Sequence, residues 1–138
     1  MKALRQPGEA AVPVKDFLVS RLAVAQPGVK AALNLDSKWT PANGSGVASN
    51  PAVVVFDDSG SLDWPVSTTH QIRVTVWSDS RTKSRKIAGM CLGWLLCSKV
   101  PGITHIGPGS HLIETLDPDN GGRMVSFTVN AKVRTVSL

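Results

Sequence analysis

Apolar positions Val14, Phe17, Leu18, Leu22 and Ala25, with Arg21 among them, recur at the three–four spacing of an amphipathic helix. Pro13 stands in the first turn, where proline is tolerated, and Gln26-Pro27-Gly28 predicts the stop. Residues 29–35 form a short apolar stretch. Ala52-Val53-Val54-Val55-Phe56 is an unbroken apolar run of strand length, which predicts a strand covered on both faces. Residues 37–51, rich in Gly, Ser, Asn, Thr and Pro, predict a flexible loop of a length compact domains seldom carry without use. Residues 57–61 predict a turn. In Gln71–Trp77, Ile72, Val74 and Val76 point one way, and Arg73, Thr75 and Trp77 the other.

Asp79 or Ser80 can cap a second helix over residues 81–99, because a short oxygen-bearing side chain accepts from the free N–H groups. Pro101-Gly102 stops it. Residues 103–116 predict one or two short strands around a Gly107-Pro108-Gly109 turn, and Asp117–Gly122 is a strong turn signal. The closing strand alternates Val125, Phe127, Val129, Ala131 and Val133 against Met124, Ser126, Thr128, Asn130, Lys132 and Arg134. The expected architecture is one α+β domain over residues 12–138, with a mostly antiparallel sheet and two helices on one face. Residues 1–11 are a polar lead-in.

Composition narrows the class without naming a function. The 138 residues suit one domain, 42% hydrophobic and 18% charged residues permit a core, and the net charge of +5 is too mild to argue for nucleic acid alone. The longest apolar run, residues 87–97, is too short to span a bilayer, and the N-terminus lacks the apolar segment of a secretory signal. Cys91 and Cys97 fall six residues apart in the second helix, about 9 Å of rise and about 240° of rotation. That separation forbids a disulfide, and two buried free thiols suit a reducing compartment. His70, His105 and His111 are scattered, without zinc-site spacing, and read as solvated loop histidines. The paired carboxylates Asp57-Asp58 and Asp117-Pro118-Asp119 sit in turns, where Asp serves the backbone.

Three features point to contact with a partner. Ile87, Ala88, Met90, Cys91, Leu92, Trp94, Leu95 and Leu96 cover about two thirds of the second helix, more than the arc of ≳100° one sheet needs. The remainder holds Gly89 and Gly93, which suit close backbone approach by a neighbour, or by the first helix of the same chain. Arg81, Lys83, Arg85 and Lys86 place four cations at that helix's positive dipole end. They suit either a solvated patch bridged to Asp79 or an acidic partner surface. Trp39 and Trp64 lie in polar stretches and either fold back onto the core or serve an interface.

Three stretches carry a resemblance. They are Ile72–Ser80 running into Arg85-Lys86-Ile87-Ala88 and Leu92–Leu96, the Asp117-Pro118-Asp119 turn, and the closing strand Val125–Val133. Together they resemble the tail terminator (tail completion) proteins of long-tailed phages, notably those of actinobacterial hosts, over roughly residues 10–136. The resemblance implies a non-enzymatic virion protein that forms a homo-hexameric ring on the last ring of tail tube protein. Such a ring halts tube polymerisation, offers a surface to head-completion (neck) proteins, and lets DNA pass. It implies no catalytic residue, cofactor, metal or membrane partner. The long 37–51 loop departs from the pattern. Two other readings stay open. One is another neck component, a head-closure or tail-joining protein. The other is a small nucleic-acid-binding domain, which wants aromatics interleaved with cations on an exposed sheet face, where only Trp77 with Arg73 fits.

Overall fold

A computed structural model describes residues 4–41, 49–60 and 62–138. The chain runs β1 (Arg5–Gln6), α1 (Ala11–Ala25), β2 (Lys30–Ala32), β3 (Ala52–Asp57), β4 (Leu62–Asp63), β5 (Ser67–Ser78), α2 (Arg81–Cys97), β6 (His105–Leu116), β7 (Arg123–Arg134) and β8 (Val136–Ser137). The main sheet has the order β2-β3-β5-β7-β6, with β4 beside β5. All its pairings are antiparallel except β2 with β3. This is an α+β fold.

Period-two alternation sends the aliphatic half of each long strand to one face. Ile72, Val74 and Val76 of β5 meet Val125, Phe127, Val129, Ala131 and Val133 of β7 and Val53 and Val55 of β3 there. Both helices cover that face. From α1 come Val14, Phe17, Leu18 and Leu22, and from α2 Ile87, Ala88, Cys91 and Leu95. α1 lies over β2 and β3, and α2 over β5, β6 and β7. Two members of the α1 periodicity, Arg21 and Ala25, stay exposed, with Arg21 stacked on the Phe17 ring at 5.1 Å.

Ser80 is the cap of α2, its side chain accepting from the Lys83 N–H. Asp79 instead binds the Lys83 ammonium at 3.0 Å. Buried hydroxyls fix this corner. Ser84 Oγ donates to the Arg123 carbonyl at 2.8 Å, and Ser78 Oγ lies 2.5 Å from it. α2 therefore starts locked to the end of β5 and the start of β7, and its arginines project over β6.

The parallel β2–β3 pair accounts for the long loop. Parallel strands need a crossover of a dozen or more residues, and residues 33–51 supply it. Within its described part, Trp39 packs with Val54 and Trp77 into a second, smaller core on the sheet face opposite the helices. Thr40 N–H donates to Ser49 Oγ and Ser49 N–H to the Thr40 carbonyl, closing the loop at its neck. Of the loop expected to be flexible over residues 37–51, residues 42–48 lie outside the described residues.

Three expectations are corrected. The polar lead-in is not separate from the domain: Arg5–Gln6 pairs with Val136–Ser137, and the Arg5 guanidinium grips Thr135 Oγ1 at 2.7 Å and its carbonyl at 2.8 Å. Gly107-Pro108-Gly109 is no hairpin turn. It lies inside one continuous strand, β6, which absorbs it through irregularities between Pro108 and Ser110 and between Ser110 and Ile113. A Cβ on Gly109 would stand 2.6 Å from the Thr128 carbonyl oxygen, so the glycine serves close strand approach instead of a reversal. His70 and His111 are not loop residues; they lie within β5 and β6, and His105 begins β6.

Candidate interaction surface

The cations of α2 are largely answered within the chain. Residues 81 and 85, one helical turn apart, share the side of α2 that overlooks β6. There the Glu114 carboxylate takes Arg81 Nε on one oxygen and Arg85 Nη1, at 2.9 Å, on the other. Glu114 sits opposite Val125 in the ladder, which turns it toward the helices. The Arg81 guanidinium, then Arg85, holds the Glu114 carboxyl below the usual carboxylate range, and Glu114 in return raises the Arg81 pKa. Lys83 pairs with Asp79. Lys86 has no acidic partner among the described residues. Of the two readings open for this turn, the bridge to Asp79 is made by Lys83, and Arg81 and Arg85 find an acidic partner within the chain, in Glu114. A cavity of about 180 Å³ adjoins the cluster, lined by Arg81, Glu114, Leu116 and Arg123 among others.

Gly89 and Gly93 face open space. A Cβ on either would meet nothing within 4 Å, so α1 does not use them. Leu96 and Cys97 are exposed farther along α2, while Leu92 and Trp94 are half-buried against the core. The wide apolar arc of α2 thus divides into a seated side and a free side.

The tryptophans also divide. Trp39 is only 8% exposed and its indole N–H donates to the Asn50 carbonyl at 2.7 Å, so it is a core residue. Its ring fills the space a side chain at Gly122 would need. Trp64 is 49% exposed, next to exposed Val66. Trp77, the aromatic on which a nucleic-acid reading rests, is 6% exposed and donates to Asp117 Oδ2 at 2.9 Å. It has no free ring face for a base. Arg73 is used too, paired to Asp58 at 3.0 Å and stacked on Phe56 at 4.1 Å.

Cys91 and Cys97 are both free. Cys91 is buried, which pushes its thiol up to about 12, whereas Cys97 is exposed, correcting the expectation of two buried thiols. One arrangement had no linear signal. His70 Nδ1 lies 2.7 Å from Asp57 Oδ2, and Nε2 lies 2.8 Å from Thr68 Oγ1. This resembles an acid–base–hydroxyl relay, but Thr68 is 1% exposed and cannot meet a substrate. Its evident role is to tie β3 to β5. Only strand alternation, which puts Thr68, His70 and Ile72 on one face, hints at part of it. Among the described residues no cluster of three His, Cys, Asp or Glu could hold a metal, and no helix is long and apolar enough to cross a membrane.

No protein-family model matches the chain. No curated protein matches it either.

Proposed function

We propose that this chain is a structural, non-enzymatic protein of a phage virion. In this reading it caps the tail tube as a homo-hexameric ring, ends tube polymerisation and joins the tail to head-completion proteins, while DNA passes through. The observation that carries the reading is the free side of α2. Two interior glycines each cost about 1 kcal/mol relative to alanine, and nothing among the described residues packs within 4 Å of either to recover that cost. Beside them stand Lys86, with no acidic partner among the described residues, and Leu96, 39% exposed. A helix so built offers a neighbour room for backbone approach, an apolar contact and a charge. The passage β5–Ser80–α2, on which the resemblance rests, ends in this surface.

Electron microscopy of the purified protein and of tails tests the reading. The expected result is a ring, and one ring at the head-proximal end of each tail. Deleting the gene should give tails of uncontrolled length that fail to join heads. Normal-length tails that still fail to join heads would make the protein another neck component. Copies along the whole tube would remove both readings. Lys86→Glu is the cleanest probe of the α2 surface, because it disturbs no internal ion pair; the expected result is a folded chain with weakened assembly.

A further inference from the structure

The β1–β8 ribbon is built with its polar side inward. Arg5 turns toward the domain to hold Thr135. Leu4, Val136 and Leu138 fall on the opposite face of the ribbon, because Gln6 pairs with Val136 and the Leu138 N–H meets the Leu4 carbonyl. They are 75%, 46% and 72% exposed. The segment carrying Trp64 and Val66 runs alongside, where the Val66 carbonyl accepts the Thr135 N–H. Five of the eleven large apolar side chains exposed among the described residues thus gather at one end of the molecule. Isolated exposed apolar residues are ordinary, but a contiguous group marks a contact surface. One exposed cation borders it, Arg134, which has no acidic partner among the described residues.

A second exposed strip on the chain has the opposite charge. Val12, Asp16 and Val19 recur along the outer side of α1, and Glu9 precedes them on the approach to the helix; all four are exposed. Glu9 has no cationic partner among the described residues, and Asp16 has only its neighbour Lys15.

We infer that the ribbon end of one copy seats on the α1 strip of a second copy. Apolar side chains fill the centre of this contact, and Arg134 faces Glu9 and Asp16 at its rim. The two surfaces are different patches on one chain. The contact is therefore heterologous, the kind that propagates and closes into a ring. The inference rests on the ring-forming reading above and supplies its subunit contact.

The test compares assembly of full-length variants by sedimentation and electron microscopy, with circular dichroism to confirm folding. Val136→Asp with Leu138→Asp should weaken ring formation by about tenfold or more, as loss of a central apolar contact does. Arg134→Glu should weaken it less, and Glu9→Arg with Asp16→Arg in the same chain should restore it. Rings unaffected by the ribbon substitutions, or an Arg134→Glu loss that the α1 reversal does not rescue, would overturn this contact and leave the terminator reading standing. A wild-type chain monomeric both in solution and on isolated tail tubes would remove that reading, and the contact with it.

Discussion

The two faces of the sheet carry the same alternating strands and are finished differently. On the helix face, every inward position of β5 and β7 from Ile72 to Val76 and from Val125 to Val133 is apolar and at most 2% exposed. On the far face, Trp39, Val54 and Trp77 form a small core at one end only. Beyond it come Arg73 over Phe56 and the half-buried or exposed Thr128, Asn130 and Arg134. Between them, Thr75 is fully buried although polar, its hydroxyl 2.8 Å from that of Ser126. A face covered by two amphipathic helices needs uniform apolar strands. A face covered by one irregular crossover is sealed only where an aromatic reaches down, and its buried polar groups must find each other.

The largest expected contrast is chemical. Cys91 lies on the covered side with its thiol pushed up to about 12, and Cys97 lies outside. Since the thiolate is the nucleophile, Cys91 should react with a thiol reagent roughly a thousandfold more slowly than an ordinary cysteine. Native protein should then titrate one thiol and unfolded protein two. Two fast thiols in the native state would show that α2 is not seated as described.

Next in size, Phe127→Ala should destabilise by about 3–5 kcal/mol, the range for a fully enclosed aromatic. Trp39→Ala removes a larger ring but should cost only about 3 kcal/mol, the low end of that range, because the site borders solvent and can collapse. Urea denaturation measures both. Equal costs would mean that the far-face core is as closed as the main one.

Smaller again is a pH effect at the far-face end. The Trp77 indole N–H, and then the Asp119 backbone N–H, hold the Asp117 carboxyl below the usual carboxylate range. A pKa lowered in the folded state gives stability that is complete above the unfolded value of about 3.9. That stability is lost as pH falls through the folded value. Asp117→Asn should therefore lower stability most at neutral pH, where that contribution is complete, and flatten part of the acid limb of a melting-temperature profile, the two proteins converging as pH falls. The smallest effect should come from Glu114→Gln on the helix side. It removes two exposed ion pairs, with Arg81 and Arg85, and the loss should shrink as salt screens them.

The residues that pointed outward were harder to read than those that pointed inward. Gly89 and Gly93 stand out on α2 in the sequence, but only the placement of α1 over β2 and β3 shows that nothing among the described residues meets them. In sequence the basic turn leaves a patch bridged to Asp79 and an acidic partner surface both open. Glu114, 29 residues from Arg85 in sequence, answers much of it because the hairpin of β6 and β7 returns beneath α2. The pairing of Arg5–Gln6 with Val136–Ser137 is not legible in the sequence, since two residue pairs carry no periodicity of their own.

Local pattern by itself determined both helices, their stops, the covered β3 strand and the two-faced β5 and β7, because periods of 3.6 and 2 record which side of an element is dry. It also determined that Cys91 and Cys97 cannot bridge, since helix geometry is local. Only the tertiary structure decided that β2 runs parallel to β3, that Trp39 goes inward and Trp64 outward, and that Asp57 meets His70 and Arg81 meets Glu114. Those outcomes depend on which segments lie side by side after the chain closes. A side chain's spacing along the sequence carries no record of a partner contributed by another strand.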